Sequence, residues 1–160
     1  VEAGGAEFIV ISCNDVHRFV PKVAPHLSIP FLHIAEVTAQ AIEQHNLKTV
    51  GLLGVMKTME GDFYQGILSE HGIDTLVPNA DERDYVHGKI MDEMVANIFT
   101  DETKAGYLDV IASLHQRGAE GVILGCTEIP LLLDADEIPI PSFSTTELHC
   151  QATIARAIKD

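Results

Sequence analysis

One short unit occurs twice in this chain, and it constrains the fold more than any other feature. Residues 5–15 read GAEFIVISCND and residues 118–128 read GAEGVILGCTE. Each copy runs Gly-Ala-Glu, an apolar stretch short enough for a buried strand, a cysteine, a small polar residue and a carboxylate. Each is followed by an Ile-Pro, at Ile29-Pro30 and at Ile138-Pro139, and then by another short apolar run. A strand that ends at a cysteine delivers its thiol to the carboxyl edge of an α/β sheet, where ligand crevices form. Two such strands predict two related halves, each contributing one thiol.

Between the two copies, strand and helix patterns alternate. Apolar runs at 8–12, 31–34, 50–54, 75–77, 122–124 and 140–143 read as strands. Helices are expected at 35–46, 60–71, 83–99 and 102–117, with a last one opened by the capping signature Ser144-x-x-Glu147 and bearing Leu148, Ala152, Ala155 and Ile158 inward. Residues 14–27 read as a loop and helix with Val16, Phe19, Val20 and Val23 at near-helical spacing, interrupted by Pro21 and Pro25. The alternation predicts an α/β fold of two lobes with parallel-type sheets flanked by helices. The expected first lobe comprises residues 1–46 plus 142–160 and the second 47–141. Residues 1–7 read as a helix tail, so the first lobe is expected to be incomplete at its amino end.

Composition bounds the function classes. The net charge of −14 with only ten Lys and Arg argues against a nucleic-acid or anionic-membrane surface. The sequence holds neither an 18-residue apolar run nor a signal-peptide pattern, and three cysteines fit reduced thiols better than a disulfide framework. These features point to the cytoplasm. The histidines 26, 33, 45, 71, 87, 115 and 149 show no metal-ligand spacing with the cysteines, so no zinc site is expected.

A lone free cysteine usually fills core space, and Cys150 in the last helix is read that way. Cys13 and Cys126 occupy duplicated contexts at strand tips ahead of helix starts, where the helix dipole lowers a thiol pKa. Two thiols across a cleft suit inversion of a carbon centre: one removes a proton from one face and the other returns one to the opposite face. Such a pair starts as one thiolate and one thiol and titrates as a coupled unit. A redox pair is disfavoured, because a cleft wide enough for substrate holds the sulfurs too far apart to bond. His17, four residues after Cys13, has two open readings, a structural contact and a proton carrier.

The segments VILGCTEIP and SCNDVH, with PFLHIAE, VGLLG, TMEGDFY and FSTTELH, resemble the aspartate/glutamate racemase family, and the similarity runs through nearly the whole chain. The resemblance implies two pseudo-twofold-related lobes with the last helix returning to the first, Cys13 and Cys126 as the catalytic acid/bases, and no pyridoxal phosphate or metal. It implies that Asn14 and Thr127 hold the substrate's α-carboxylate and amine, that Glu128 orients the amine side, and that Thr58 lines the cleft. Asp15, where the family has Thr, joins the substrate-binding set as a departure; Val55 replaces another common Thr. The family's amino-terminal strand, Gly-rich loop and the Arg that receives the distal carboxylate are expected to lie outside this chain. The resemblance further implies a homodimer acting on a small amino-acid substrate, aspartate or glutamate. Maleate isomerisation, aryl-malonate decarboxylation and a non-catalytic binding module of the same fold are the alternatives. Lys57 reads as a solvated surface residue or, failing that, as a receptor for a second carboxylate.

Overall fold

The computed structural model describes residues 1–158, and the fold it shows is built on two parallel sheets. The smaller pairs β1 (Ile9–Val10) with β2 (Phe31–Leu32). The larger has four strands, β3 (Thr49–Leu53), β4 (Asp74–Leu76), β5 (Gly121–Leu124) and β6 (Ser142–Ser144), in the order β4-β3-β5-β6. Every pairing is parallel. β3 and β5 are the inner strands and are buried almost throughout, which is why both read as continuous apolar runs.

Side chains on these two strands alternate between cores on opposite faces of the sheet. Val50 and Leu52 of β3 and Ile123 of β5 face a core built with α2 (Ile34–Gln44) and α4 (Asp62–Glu70). Leu53, Val122 and Leu124 face the other, built with α5 (Ala80–Asp92) and α6 (Asp101–Gln116). Each large apolar side chain fully buried this way contributes about 1.5–3 kcal/mol. Tyr107 of α6 is completely buried and donates its hydroxyl to the Val86 carbonyl at 2.7 Å, so its one polar atom is satisfied.

Several expected boundaries move, for identifiable reasons. The segment expected to be helical at 60–71 is two helices, α3 (Met56–Glu60) and α4, broken by Gly61 in an extended conformation. A side chain there would press its Cβ to 2.5 Å from the Lys57 carbonyl oxygen. The helix expected from residue 83 starts at Ala80, because Asn79 and Glu82 form a reciprocal capping box. It stops at Asp92; a 3-10 turn over Met94–Ala96 follows and ends at Asn97 in the left-handed region, leaving Ile98 exposed. Residues 15–26 form a 3-10 helix over Asp15–Phe19, one α-turn, α1 (Val20–Val23), and a second 3-10 turn, and Val16, Phe19 and Val23 are exposed. Pro21 and Pro25 sit in the opening positions of the two later turns and prevent one continuous helix.

The last helix, α8 (Thr145–Ala157), is capped by the Ser144 hydroxyl as expected. It packs on α2, yet it buries Thr145 and His149, while Ala155, Ile158 and Cys150 are exposed. Cys150 is therefore not core filling. The lobe boundary expected at residue 142 also falls within a sheet, because β6 is hydrogen-bonded to β5 as the fourth strand of the larger sheet. Among the described residues no helix is long and apolar enough to cross a membrane.

Candidate active site

In a strand order β4-β3-β5-β6 the chain direction across the sheet reverses between β3 and β5. A crevice at such a switch point opens at the carboxyl ends of the two strands. Both strands end here in glycine, and the reason is steric. A Cβ on Gly125 would lie 2.5 Å from the Leu53 carbonyl oxygen, and one on Gly54 would lie 2.9 Å from the Gly125 carbonyl oxygen. The Gly125 N–H donates to the Leu53 carbonyl at 2.8 Å, so the strand ends remain joined just where Cys126 leaves the sheet.

A cavity of about 130 Å³ occupies this position. Cys13, Asn14 and Asp15 line it from the loop after β1, Val55 and Thr58 from the start of α3, and Gly125, Cys126, Thr127 and Glu128 from the loop after β5. All seven site residues expected from the sequence are thus brought to one cavity. Sequence reasoning did not place Ile90 and Val95, which complete the lining. Their signal was invisible because Ile90 ends a helical apolar stripe and Val95 lies on an irregular turn.

The two thiols differ in environment. Cys13 is exposed. Cys126 is partly buried, and its Sγ donates to Glu128 Oε2 at 2.9 Å, an oxygen that also accepts from Thr127 Oγ1 at 2.8 Å. Burial, then the hydrogen bond and charge of Glu128, push the Cys126 thiol up to about 12. Burial alone would raise Glu128 as well, but the bonds from Cys126 and Thr127 outweigh it and hold this carboxyl below its usual range. The expectation that a helix start would acidify both thiols is therefore overturned for Cys126. The helix that follows, α7 (Ile129–Leu132), is a single turn with little dipole to offer, and the carboxylate beside the sulfur acts in the opposite sense.

This reading has a direct consequence. Glu128→Gln removes the negative charge while keeping the shape, so Cys126 is expected to ionise at lower pH. Its alkylation by iodoacetamide near pH 9, followed by mass spectrometry of the Cys126 peptide, should accelerate by about tenfold. An unchanged rate would show that burial alone governs this thiol.

Asn14 is held in a buried polar network. Its Nδ2 donates to Thr145 Oγ1 at 3.0 Å, Thr145 donates on to the Leu124 carbonyl at 3.0 Å, and Asn14 Oδ1 accepts from the Tyr64 hydroxyl at 3.3 Å. Tyr64 also lies 3.3 Å from Thr38 Oγ1. One amide N–H of Asn14 thus ties the Cys13 loop to α8 and to the end of β5, leaving one N–H for a ligand. Thr58 is buried, and its hydroxyl has no partner among the described residues although the residue lines the cavity. An unpaired buried hydroxyl at a cavity wall suits a bound polar group.

Asp15 is paired with Arg18, which stacks over the Phe19 ring at 4.6 Å. Arg18 and Lys57 line a second, more open cavity of about 400 Å³ with Gly61, Asp62 and Phe63, and neither lines the cavity of the thiols. His17 is buried and points its Nδ1 at the Cys13 carbonyl at 2.8 Å, so of its two readings the structural contact is the one observed. Among the described residues no group of three or more His, Cys, Asp or Glu is arranged to hold a metal ion.

Fold and site define a class of protein: an α/β chain that presents two cysteines to one crevice at the carboxyl ends of its parallel strands. The family model for Asp/Glu/hydantoin racemases matches residues 1–153, and the chain belongs to that family. It is 25% identical over 159 residues to the broad specificity amino-acid racemase RacX of Bacillus subtilis, covering 97% of this chain and 66% of the relative. It is 26% identical over 130 residues to a glutamate racemase of Herpetosiphon aurantiacus, covering 80% of this chain and 49% of that one. A solved aspartate racemase homologue from Pyrococcus horikoshii superposes with a TM-score of 0.88 at 30% identity, over 99% of this chain and 70% of that structure. The chain thus spans from about half to about 70% of these relatives' lengths.

Proposed function

We propose that this chain carries the two-thiol site of a cofactor-independent amino-acid racemase, with aspartate and glutamate as the first substrates to test. One observation carries the reading: Cys13 and Cys126 open onto the same cavity, where burial and, after it, the Glu128 carboxylate hold the second as a neutral thiol. In one direction Cys13, as thiolate, takes the proton from Cα, forming S–H and leaving the electron pair on carbon. Cys126 then gives its S–H proton to the opposite face and becomes the thiolate.

Glu128 has a second task in this scheme. Its Oε2 already accepts two hydrogen bonds, and a substrate ammonium at the same carboxylate would neutralise the charge that keeps Cys126 protonated. Substrate binding would then lower the Cys126 pKa when proton transfer requires it. The free hydroxyl of Thr58 and the remaining N–H of Asn14 are available to the substrate carboxylate. For an acidic substrate, Arg18 and Lys57 in the neighbouring cavity are the basic groups within the described residues that can attract a second carboxylate.

The test is to incubate the protein with single enantiomers of aspartate, glutamate and a panel of neutral and basic amino acids and to follow both enantiomers by chiral chromatography. Accumulation of the mirror-image amino acid supports the reading. Binding without any inversion or α-hydrogen exchange would leave a ligand-binding module of this fold.

A further inference from the structure

Three histidines far apart in sequence meet beneath the Cys13 loop. The His17 ring stands edge-on to His33, with centroids 4.7 Å apart, and to His149, with centroids 5.6 Å apart. His17 comes from the 3-10 helix after Cys13, His33 caps α2, and His149 is the buried histidine of α8. Three elements distant in the chain are thus joined by imidazole contacts.

Their hydrogen bonds settle which nitrogens carry protons. A carbonyl can only accept, so His17 Nδ1, 2.8 Å from the Cys13 carbonyl, bears the hydrogen. His149 Nε2, 2.8 Å from the Leu32 carbonyl, does the same. His33 Nδ1 accepts from the Ala35 N–H at 3.3 Å and is therefore bare. The remaining ring nitrogen of His17, Nε2, is buried and has no partner among the described residues. A proton added there would find no acceptor and would face two further imidazoles. From outside the group, Glu36 of α2 acts on His33 and is itself engaged by His71 at 2.9 Å. Asp15 and Arg18, on the same 3-10 helix as His17, pair with each other.

We propose that His17, packed edge-on against the His33 and His149 rings, is a neutral imidazole anchor and a positioning residue, which fixes the Cys13 loop by its backbone carbonyl, and that protonating His17 releases the loop from the cavity.

The electrostatics agree in direction. Burial first, and then the two neighbouring imidazoles, lower His17 from 6.5 to about 4 even though its bond to Cys13 works the other way, and burial lowers His33 too. A base whose pKa is depressed when the loop is docked takes up a proton more readily when it is released. The docked state is therefore fully favoured above about pH 6.5 and loses ground as the pH falls from there towards 4.

The anchor serves the two-thiol reading given above, yet it can be tested without any racemase activity. Hydrogen–deuterium exchange of the peptide spanning residues 11–19 is expected to lose protection by about tenfold, after correction for intrinsic rates, between about pH 7.5 and pH 5. In His17→Asn, whose amide can donate to the Cys13 carbonyl without titrating, that pH dependence should disappear. Equal loss in the parent and in His17→Asn, or flat protection in the parent, would overturn the proposal. Should His17→Asn fail to fold, NMR titration of the parent's imidazoles decides: one ring should resist protonation until the loop opens. Ordinary titration of all eight rings near pH 6.5 with the loop unchanged would sink the anchor. If the loop responds as expected while no amino acid is racemised, the anchor stands and the functional reading falls.

Discussion

Cys13→Ser and Cys126→Ser are each expected to reduce racemisation by about a thousandfold, the scale on which a positioned acid or base contributes to proton transfer at carbon. A serine hydroxyl occupies nearly the same place but ionises far above a thiol, so it can neither take the Cα proton as an alkoxide nor release one readily at neutral pH. The two variants should differ in what they retain. In the proposed two-thiol scheme the sulfurs act on opposite faces of one centre, so each variant keeps the sulfur for one enantiomer only and should still exchange the α-hydrogen of that enantiomer with solvent deuterium. Cys150→Ser supplies the control: this thiol is exposed on α8 and lines neither wall of the cavity, so activity should be close to that of the parent. Parent-level racemisation by either of the first two variants would rule out a two-base mechanism.

Gly125→Ala should be the most damaging change in the fold that alters no functional group. The added Cβ would sit 2.5 Å from the Leu53 carbonyl oxygen and 3.2 Å from Leu52 Cδ1. That oxygen accepts from the Gly125 N–H at the end of the ladder between the two inner strands, so it cannot retreat without breaking the pairing. A forced backbone shift of this kind costs about 2–4 kcal/mol, which lowers the melting temperature of a chain this size by roughly 5–15 °C. It should also move Cys126 off the cavity. Gly66→Ala is the contrasting case, because Gly66 lies within α4 and a Cβ there would meet nothing within 4 Å. There alanine should stabilise by about 0.5–1 kcal/mol through helix propensity and a less flexible unfolded chain. Thermal unfolding of the two variants beside the parent checks both signs.

What could be read from the chain beforehand follows the range of the interactions. Val122 to Leu124 and the run ending at Gly54 are local apolar patterns fed into glycines, and they appear as the inner strands. The convergence of Cys13 and Cys126 on one cavity was also legible, because each lies just beyond a strand end, while Asn14, Asp15, Thr58, Thr127 and Glu128 were expected there from the resemblance to aspartate/glutamate racemases. Strand order was not. That β6 pairs with β5 depends on a crossover that no local pattern encodes. The direction of the Cys126 shift was hidden for a related reason, since it depends on how deeply the folded chain buries Sγ and then on Glu128 folding back onto it. The Asn14, Tyr64 and Thr145 network and the His17, His33 and His149 contacts join residues from distant elements, so periodicity is silent about them. The Asn79 capping box, by contrast, stands in the sequence as Asn-x-x-Glu, a local signature, although the helix was expected only from residue 83.

The most direct measurement starts from one pure enantiomer in deuterium oxide and stops well before equilibrium. Opposed thiols make the inverted product fully deuterated at Cα while the remaining substrate stays protiated, because the proton removed from one face is not the one returned to the other. Deuterium appearing in the unreacted enantiomer as fast as product forms would mean that a single base serves both faces, contradicting the two-thiol scheme proposed for Cys13 and Cys126.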